Sequence, residues 1–323
     1  MSDEPLLLGL DFGGTKLAAG LVDVDHCRLL AAERQPTRAE DGAPAALASM
    51  LTMARALLAQ APGPVAGIGI NFGGPVDAAA GVVLRSHHVA GWDGYPLAAT
   101  VTDALGLPAR LENDANGQAL AEWRFGAGRG SRSMVYLNIG TGIGGGIVND
   151  GRLWRGAHGL AAEFGHLTCR PGGPRCSCGR QGCLEALAAG PAMGRRAREA
   201  LAALAPQLQQ RSAMVRSAGS VAAVSGRDLT AAAASGDSLA LAVLDAVFDD
   251  LALGLADIIV SVDPACIVLG GGAAEMALAL LHRLEAKLRD TCLPGTAETV
   301  DLRPAALGGD AGIYGGAAVF VAP

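Results

Sequence analysis

The sequence predicts a mixed α/β protein with two domains, and three observations support this class. The chain has 323 residues, about half of them apolar, which is long for a single hydrophobic core. An apolar run at residues 6–10 leads into a Gly/Thr turn at residues 11–16, and residues 133–139 lead into a second such turn at residues 140–146. Long segments with alternating helical and strand patterns follow both units.

The two turn-containing units align with each other. Placing Asp11 over Asn138 puts Gly13 over Gly140, and the segments stay in step to within a residue through the next strand. Glycine-rich hairpins are common, so coincidence is the alternative interpretation. Because both units open a meander and precede mixed α/β segments, we expect a duplicated architecture.

Local patterns predict the remaining elements along the chain. Apolar runs predict further strands at residues 17–22, 27–31, 65–70, 107–111 and 266–269. Composition and capping signals predict helices at residues 43–61, 115–123, 186–204 (with a break at 190–191) and 238–262. The polar stretch 207–227 has little periodicity, and we expect it to be irregular or mobile.

Charge and hydropathy argue against several classes of protein. The formal net charge is −6 and no stripe of Lys and Arg is present, which argues against nucleic acid as the main partner. Residues 1–5 lack the basic segment of a signal peptide, and no uninterrupted apolar run reaches about 18 residues. We therefore expect a soluble cytoplasmic protein without a membrane partner.

The two glycine turns suit phosphate better than a dinucleotide. Residues 140–145 match the spacing of the dinucleotide fingerprint, but strand-like residues 146–148 follow where that fingerprint opens a helix. Lys16 lacks the preceding glycine spacing of a Walker A motif. Small residues in a hairpin turn expose backbone N–H groups that bind phosphate oxygens, and Asp11 beside the first turn suits Mg²⁺.

A local group of cysteines predicts a metal site. His166, Cys176, Cys178 and Cys183 have the spacing H-x₉-C-x-C-x₄-C, which supplies three thiolates and one imidazole for tetrahedral zinc. A closed set of four ligands predicts a structural Zn²⁺ ion. Cys169 is a spare thiol nearby and an alternative ligand.

Three carboxylates are candidates for substrate chemistry. Asp114 lies between a predicted strand and a predicted helix, so it either caps that helix or acts in the site. Glu163 lies three residues before His166, and Glu185 lies two residues after Cys183. Zinc binding would bring both acids into one neighbourhood, and acids grouped near phosphate-binding turns suit a polyhydroxyl substrate.

These motifs occur in the order found in ROK sugar kinases (the repressor/open-reading-frame/kinase family), and the chain resembles that family from residue 6 to about residue 319. The matching segments are residues 10–16, 67–77, 112–116, 140–146, 163–166, 176–185 and 267–272. The resemblance implies an actin-like ATPase fold, with two RNase H-like lobes and a central cleft for ATP and a sugar.

The resemblance also implies a role for each matched residue. Asp114 is the expected general base, which takes the proton from the attacking sugar hydroxyl. Further sugar contacts are expected from Gly74, Asn113, Glu163, His166 and Glu185, and His166 is expected to bind zinc as well. The phosphates of ATP are expected at Gly13, Gly14, Thr15, Lys16, Thr141 and Gly142. Mg²⁺ is expected near Asp11, and the adenosine near Gly271 and Gly272.

Domain boundaries, substrate and assembly also follow from the resemblance. The expected small lobe comprises residues 1–114 with a C-terminal helix at about 308–323, and the large lobe comprises residues 115–307. Glucose, converted to glucose 6-phosphate, is the expected substrate. Fructose, mannose, allose, N-acetylglucosamine and N-acetylmannosamine remain alternatives, because epimers differ by one or two hydrogen bonds. A homo-oligomer, dimer or tetramer, is expected.

Two positions depart from the family pattern. His88 stands where many members carry Asn, which predicts an altered sugar preference unless His87 and His88 belong to a surface loop. Ala162 replaces the usual Gly before Glu163, a change that we expect to leave this acid in place.

Two other functions are weaker interpretations of the same residues. A sugar-responsive repressor carries an added helix-turn-helix domain before the first phosphate motif, whereas five residues precede Leu6 here. A catalytically silent sugar-binding protein is disfavoured, because Asp11, Asp114 and both turns are intact. The sequence therefore favours a sugar kinase.

Overall fold

The three-dimensional structure is a computed structural model that describes residues 6–86, 88–276 and 278–321. His87, one of the two histidines that depart from the family pattern, lies outside the described residues. The strands are β1 Leu6–Phe12, β2 Lys16–Asp23, β3 Arg28–Pro36, β4 Val65–Phe72, β5 Val76–Asp77, β6 Val82–Val83, β7 Ala109–Asn113, β8 Ser133–Ile139, β9 Ile143–Asn149, β10 Arg152–Leu153, β11 Cys266–Gly270 and β12 Asp301–Pro304.

The α-helices lie between and after these strands. They are α1 Gly42–Ala59, α2 Leu97–Leu105, α3 Asp114–Phe125, α4 Leu184–Ala188, α5 Gly190–Ala202, α6 Pro206–Arg211, α7 Ala213–Ala218, α8 Gly226–Ala234, α9 Ser238–Val262, α10 Gly272–Met276, α11 Leu281–Thr291 and α12 Ala311–Val321. Helices α4 to α9 follow one another without an intervening strand. The predicted break near residue 190 is confirmed, because α4 ends and α5 begins there.

The two main sheets have the same strand order. The first runs β3-β2-β1-β4-β7 and the second β10-β9-β8-β11-β12. In the first sheet β1 pairs antiparallel with β2 and parallel with β4, and β7 is parallel to β4. In the second sheet β11 is parallel to both β8 and β12. The aligned strands β1 and β8 thus occupy the middle of each sheet, which confirms the predicted duplication.

The register of the first sheet brings polar residues to one edge. Asp11 lies opposite Asn71, and Asn71 lies opposite Glu112. Because β1, β4 and β7 are parallel, their carboxyl ends share this edge, which is where open α/β sheets bind ligands. Asp114 begins the helix that follows β7 directly.

Both faces of the first sheet are covered. Leu8 and Leu10 belong to the apolar core that includes Met50 and Met53 of α1. Gly9 lies between them in sequence and points to the opposite face, where its backbone meets Ile313 of α12. Successive residues of β1 thus face opposite sides of the sheet, with α1 packed on one side and α12 on the other.

The chain forms two compact units. One comprises residues 1–132, 146–161 and 306–323, and the other residues 133–145 and 162–305. In this division α3 belongs to the first unit. The lobe boundary expected after residue 114 stays a prediction.

Within the part of the chain that the structure describes, one helical segment is long and apolar enough to cross a membrane by length and composition alone. It comprises residues 39–59 and contains α1. The inward side chains of α1, among them Met50, Met53 and Leu57, are buried in the core of the first unit. Packing on the sheet therefore accounts for the composition of this helix.

The expectation of an irregular excursion at residues 207–227 is wrong. The segment contains α6, α7 and the start of α8. Ser212 caps α7 by accepting a hydrogen bond from the Met214 amide, and Ser225 and Asp228 form a capping box on α8. These helices are too short to show a hydrophobic period in the sequence. The capping residues Ser212, Ser225 and Asp228 were therefore the sequence signal that could have predicted them.

Candidate functional site

The junction of β7 and α3 holds Asp114 in a defined position. The side chain of Asn113 caps α3 by accepting hydrogen bonds from the amides of Ala115 and Asn116, at 3.0 and 3.2 Å. The suggestion that Asp114 caps this helix is therefore wrong, because Asp114 is its first residue. An extended Asn113 with a free side-chain oxygen fills the cap better than a residue that is already helical.

The Asp114 side chain is half-buried, and its carboxyl group is held through one oxygen. Oδ1 accepts hydrogen bonds from Asn113 Nδ2 at 3.1 Å and from the Ala115 amide at 2.9 Å. Burial raises the pKa of Asp114 to about 6, although these hydrogen bonds and His88 act in the opposite direction. Oδ2 faces Gly73. A carboxylate with this pKa can accept a proton near neutral pH.

Asp11 lies at the carboxyl end of β1 and is almost fully buried. Burial, with a further contribution from the negative charge of Asp114, raises the pKa of Asp11 to about 7, while Lys16 opposes this rise. Lys16 Nζ donates a hydrogen bond to the Gly309 carbonyl at 3.0 Å. Two neighbouring acids that resist joint ionisation are typical of a site that receives a cation.

The first Gly/Thr turn joins β1 to β2. The Gly13 amide donates to the Lys16 carbonyl at 3.0 Å, and Thr37 Oγ1 donates to the Gly13 carbonyl at 2.7 Å. Thr15 at its tip is exposed. The turn is thus rigid at its base and open at its tip, as a phosphate-binding turn requires.

His88 lies beside this turn. Its ring lines a small cavity in the first unit together with Gly13, Gly14 and Trp92. The ring packs so closely on Gly14 that a side chain there would lie 2.9 Å from it. Although His88 is exposed, its charge when protonated lowers the pKa of Asp114. The residue that replaces the family Asn is therefore close to the candidate base.

The second Gly/Thr turn joins β8 to β9 and has different supports. The Gly140 amide donates to the Gly142 carbonyl at 2.9 Å, and the Gly190 amide donates to the Gly140 carbonyl at 2.8 Å. Glu185 Oε2 accepts a hydrogen bond from the Ile143 amide at 3.1 Å. A Cβ atom on Gly142 would lie 2.6 Å from the same oxygen, so glycine is required for this approach. Thr141 at the tip is exposed.

The four predicted metal ligands come together in the second unit. Candidate ligand atoms of His166, Cys176, Cys178 and Cys183 all lie within 4.8 Å of one another. The Sγ atoms of Cys178 and Cys183 are 3.7 Å apart, close to the separation of about 3.8 Å expected for two sulfurs on a tetrahedral zinc with Zn–S bonds of about 2.3 Å. Nδ1 of His166 faces the cluster, 3.7 Å from Cys176 Sγ. The donor set and its spacing therefore fit Zn²⁺.

Backbone contacts close the loop that carries these ligands. The Cys176 amide donates to the Arg180 carbonyl at 2.8 Å. A backbone hydrogen bond from Arg180 lowers the pKa of Cys178 to about 6, which favours the thiolate that metals bind. Gly182 has a φ of 74°, and a Cβ atom there would lie 1.6 Å from the Arg170 carbonyl oxygen. Glycine at 182 is therefore needed for the loop to close.

Cys169, the alternative ligand, lies outside this group of four. Its thiol contacts the Leu167 carbonyl at 3.8 Å. Burial and the acids Asp257 and Asp250 raise its pKa to about 11, and burial likewise raises the pKa of Cys183 to about 12, so the pKa values do not separate the two sets of ligands. Among the described residues, the candidate ligands that the structure brings together are therefore His166, Cys176, Cys178 and Cys183, without Cys169.

Glu185 links the metal-ligand group to the second turn. Its Oε1 accepts a hydrogen bond from Ser177 Oγ at 3.0 Å and lies 3.7 Å from Cys176 Sγ. Its Oε2 accepts the hydrogen bond from the Ile143 amide in the second turn. Glu163, by contrast, is exposed and precedes a 3₁₀ turn that ends at His166.

The residue before Glu163 is strained. Ala162 has a φ of 67°, in the left-handed region where a side chain is unfavourable. The replacement of glycine at this position therefore introduces backbone strain directly before a candidate sugar ligand, and the expectation that Glu163 keeps its place stays a prediction.

Three glycines among the predicted site residues have backbone roles. The Gly74 carbonyl accepts a hydrogen bond from Asn113 Nδ2 at 3.1 Å, so it helps to orient the cap of α3. Gly271 and Gly272 connect β11 to α10 in the second unit. They lie in a different unit from Asp11 and Asp114.

Sequence reasoning missed two residues that contact this site. Glu112 is 2% exposed and pairs with Arg155 at 2.7 Å. The signal for Glu112 was an acid at the last position but one of an otherwise apolar strand. No local signal marked Arg155, because its partner is 43 residues away.

Comparison with known proteins gives one consistent result. The sequence model that describes the ROK family matches residues 7–322 of this chain. A glucokinase from Thermotoga maritima is 36% identical over 315 residues, which cover 97% of this chain and 96% of the relative. An N-acetylmannosamine kinase from Citrobacter koseri is 33% identical over 282 residues, 87% of this chain and 88% of the relative.

A solved structure from the same family is also similar to this chain. The ROK family glucokinase from Streptomyces griseus, crystallised in complex with glucose and AMPPNP, superposes with a TM-score of 0.83 at 33% identity. The match covers 98% of this chain and 99% of that one. The prediction of an actin-like ATPase fold is confirmed by this similarity.

Proposed function

The chain belongs to the ROK family, and we propose that it is an ATP-dependent sugar kinase that phosphorylates a hexose hydroxyl, with glucose as its substrate. The observation that carries this proposal is the half-buried Asp114 carboxyl group at the start of α3, which is held through one oxygen and whose pKa is raised to about 6 by desolvation. Kinase relatives of this chain and the glucokinase structure support it.

Asp114 is the proposed general base. Its ionised Oδ2 takes the proton of the sugar hydroxyl as that oxygen attacks the γ-phosphorus of ATP, and ADP leaves with the electrons of the broken P–O bond. Asn113 keeps Oδ1 occupied, so the proton has one acceptor oxygen. Phosphoryl transfer requires little more from a protein than this base, correct positioning and neutralised charge.

The two Gly/Thr turns are the proposed phosphate contacts. Exposed Thr15 and Thr141 lie at tips with small neighbours, so hydroxyl and amide groups can reach phosphate oxygens. Asp11 is the proposed Mg²⁺ residue, directly or through water. A bound Mg²⁺ would lower the pKa of Asp11, because its positive charge stabilises the ionised carboxylate and offsets the repulsion between Asp11 and Asp114. Gly271 and Gly272 remain the proposed contacts for adenosine.

Sugar hydroxyls are the proposed partners of Asn113, Glu163, His166 and Glu185. Nδ1 of His166 faces the thiols, which leaves Nε2 for a hydroxyl. Glu163 is exposed and available. Glu185 is already oriented by Ser177 and Ile143, so a sugar would share an oxygen that the protein holds in place.

A structural Zn²⁺ is part of the proposal. When bound by His166 and the three thiolates, it would supply no reactive position, since all four ligands come from the protein. Its proposed role is to fix His166 and the start of α4, and through α4 the carboxylate of Glu185. A cytoplasmic location and a homo-oligomeric assembly are kept as further proposals.

N-acetylmannosamine is the second candidate substrate. A relative named for that activity is 33% identical, and His88 lies beside the first turn in place of the family Asn. A larger C2 substituent needs different hydrogen bonds from a hydroxyl, and one such bond can decide between epimers.

The test is ADP release from Mg-ATP across a panel of hexoses and N-acetylhexosamines, measured for the wild type and Asp114→Asn. We expect one sugar to give rapid turnover and the variant to lose about 10²- to 10⁴-fold in kcat, with sugar affinity largely kept. For the wild type, log(kcat/KM) should fall with a slope of about one below about pH 6, because only ionised Asp114 accepts the proton.

Asp103→Asn is the matched control, since it removes an exposed carboxylate of α2 in the same unit. It should behave like the wild type. An Asp114→Asn variant with near-normal turnover would remove Asp114 as the base. The absence of sugar-dependent turnover on the whole panel would contradict the proposed function.

A further inference from the structure

Glu112 is a buried charge beside the candidate base, and the proposed chemistry does not use it. It is 2% exposed at the end of β7, one residue before the Asn113 cap and two before Asp114. An ionised carboxylate this deeply buried is expensive unless it is paired and hydrogen-bonded. Its partners therefore indicate what it does.

Glu112 uses its two oxygens for different partners. Oε1 accepts hydrogen bonds from the Asn113 amide at 3.0 Å and from Asn116 Nδ2 at 3.1 Å. Both partners belong to the cap and first turn of α3, the structure that carries Asp114. This oxygen thus fixes the turn that orients the base.

Oε2 of Glu112 is paired with a cation from a distant part of the chain. Arg155 Nε donates to it at 2.7 Å. Arg155 follows β10, and its carbonyl accepts the Ala161 amide at 3.1 Å, which closes the loop at residues 155–161. The Arg155 side chain is 41% exposed, so its removal would leave the buried Glu112 carboxylate unpaired rather than collapse a core.

We infer that Glu112 and Arg155 form a positioning pair, in which Arg155 neutralises Glu112 and holds it where it orients Asn113 and Asp114. The inference rests on the proposed role of Asp114 as base. Neither residue is proposed to touch the substrate. Their effect passes through the backbone of β7 and the first turn of α3.

The pair also sets the charge around Asp114. Among the described residues, Asp11 on β1 and His88 in the loop beside the first turn interact with Asp114 through their charges, and Glu112 precedes it on β7. With Arg155 in place, Glu112 adds little net charge. Without Arg155, the unpaired carboxylate of Glu112 would add to the negative charge of Asp11 and oppose ionisation of Asp114. The pKa of Asp114 would rise, so that Asp114 would act as a base only at higher pH.

The experiment compares Arg155→Ala, Glu112→Gln and the double variant with the wild type. We expect Arg155→Ala to lower kcat about 10- to 100-fold, on the scale of a small misplacement of a catalytic group. Its acid limb in the pH profile of kcat/KM should move to higher pH. In the double variant the limb should return towards the wild-type position, because the neutral amide that Glu112→Gln introduces does not repel the base.

Arg132→Ala is the matched control. Arg132 pairs with Asp150 in the same unit at the same distance, 2.7 Å, but both side chains are exposed. This variant should keep the wild-type kcat and pH profile. Should Arg155→Ala fail to fold, Arg155→Lys replaces it: the retained charge should leave the limb unmoved while kcat falls several-fold.

The inference is overturned if Arg155→Ala matches Arg132→Ala in kcat and in pH profile. It is also overturned if kcat of Arg155→Ala falls but its acid limb stays in place, or if that limb moves and adding Glu112→Gln does not restore it. These failures differ from failure of the proposed function, in which the wild type itself lacks sugar-dependent turnover or Asp114→Asn retains it.

Discussion

The two Gly/Thr turns share a framework but differ in the groups that surround them. Each turn follows the middle strand of a five-stranded sheet with the same strand order. At the strand end before the turn, however, the first has Asp11 and the second has Asn138. The first therefore carries a buried acid with its pKa raised to about 7, whereas the second carries a neutral amide.

The supports of the two turns differ as well. A hydroxyl group from Thr37 holds the first turn. The second is held by a carboxylate, Glu185, which is itself bound to the loop of metal ligands through Ser177. A duplicated backbone thus leaves side chains free to diverge. One turn is suited to a cation, and the other depends on a metal-ligand group beside it.

The largest effect should come from making the first turn resemble the second. Asp11→Asn removes the acid proposed to hold Mg²⁺ and should lower kcat about 10²- to 10³-fold, on the scale of losing one preorganised electrostatic contact. The concentration of Mg²⁺ for half-maximal activity should rise. Magnesium titrations of sugar-dependent ADP release measure both.

Asp77→Asn is the control for that change, because Asp77 accepts a hydrogen bond from the Ala80 amide in a turn of the same unit. It should leave the Mg²⁺ requirement unchanged. If Asp11→Asn also left it unchanged, the two turns would not differ in metal binding and the comparison would fail.

An intermediate effect should come from the support of the second turn. Cys178→Ser removes one of four zinc ligands and should reduce bound zinc from about one ion per chain to a small fraction, measured by metal analysis. We expect KM for the sugar to rise about 10- to 100-fold, as when the groups that orient a ligand are lost. The Mg²⁺ requirement, set by the first turn, should change little.

Cys169→Ser provides the matched control in the same loop. Cys169 lies outside the group of four, so zinc content and KM should stay at wild-type values. Full zinc occupancy in Cys178→Ser, or zinc loss in Cys169→Ser, would show that the ligand assignment is wrong.

The smallest effect should come from Ala162, whose left-handed backbone costs about 1–2 kcal/mol with a side chain present. Ala162→Gly removes that strain but adds flexibility to the unfolded chain, which costs about 0.5–1 kcal/mol. The free energy of unfolding should therefore rise by roughly 0.5–1 kcal/mol, with Tm higher by about 1–3 °C. Calorimetry measures the change.

Ala161→Gly serves as the comparison for Ala162→Gly, because Ala161 is absent from the residues with positive φ. It gains flexibility without losing strain, so its Tm should fall or stay level. Equal Tm values for both variants would mean that Ala162 is not strained.

Most of the candidate site could be predicted from local spacing. Four candidate metal ligands within eighteen positions and two glycine turns after apolar strands are short-range patterns, and the structure brings the four side chains together. The predicted helix of residues 238–262 is likewise confirmed, because a long periodic segment between Asp237 and Asp263 is unambiguous. The identity of the α3 cap was missed, since Asn113 and Asp114 are both good capping residues.

The local sequence therefore specifies the two Gly/Thr turns, the group of candidate metal ligands and the candidate carboxylates, because each of these features depends on residues only a few positions apart. Tertiary packing specifies the pairing of Glu112 with Arg155 across 43 positions and the approach of Glu185 to Ile143 across 42. It also sets the raised pKa of Asp11 and Asp114. Burial and charge pairing depend on which strands and loops become neighbours, and no local pattern in the chain encodes that.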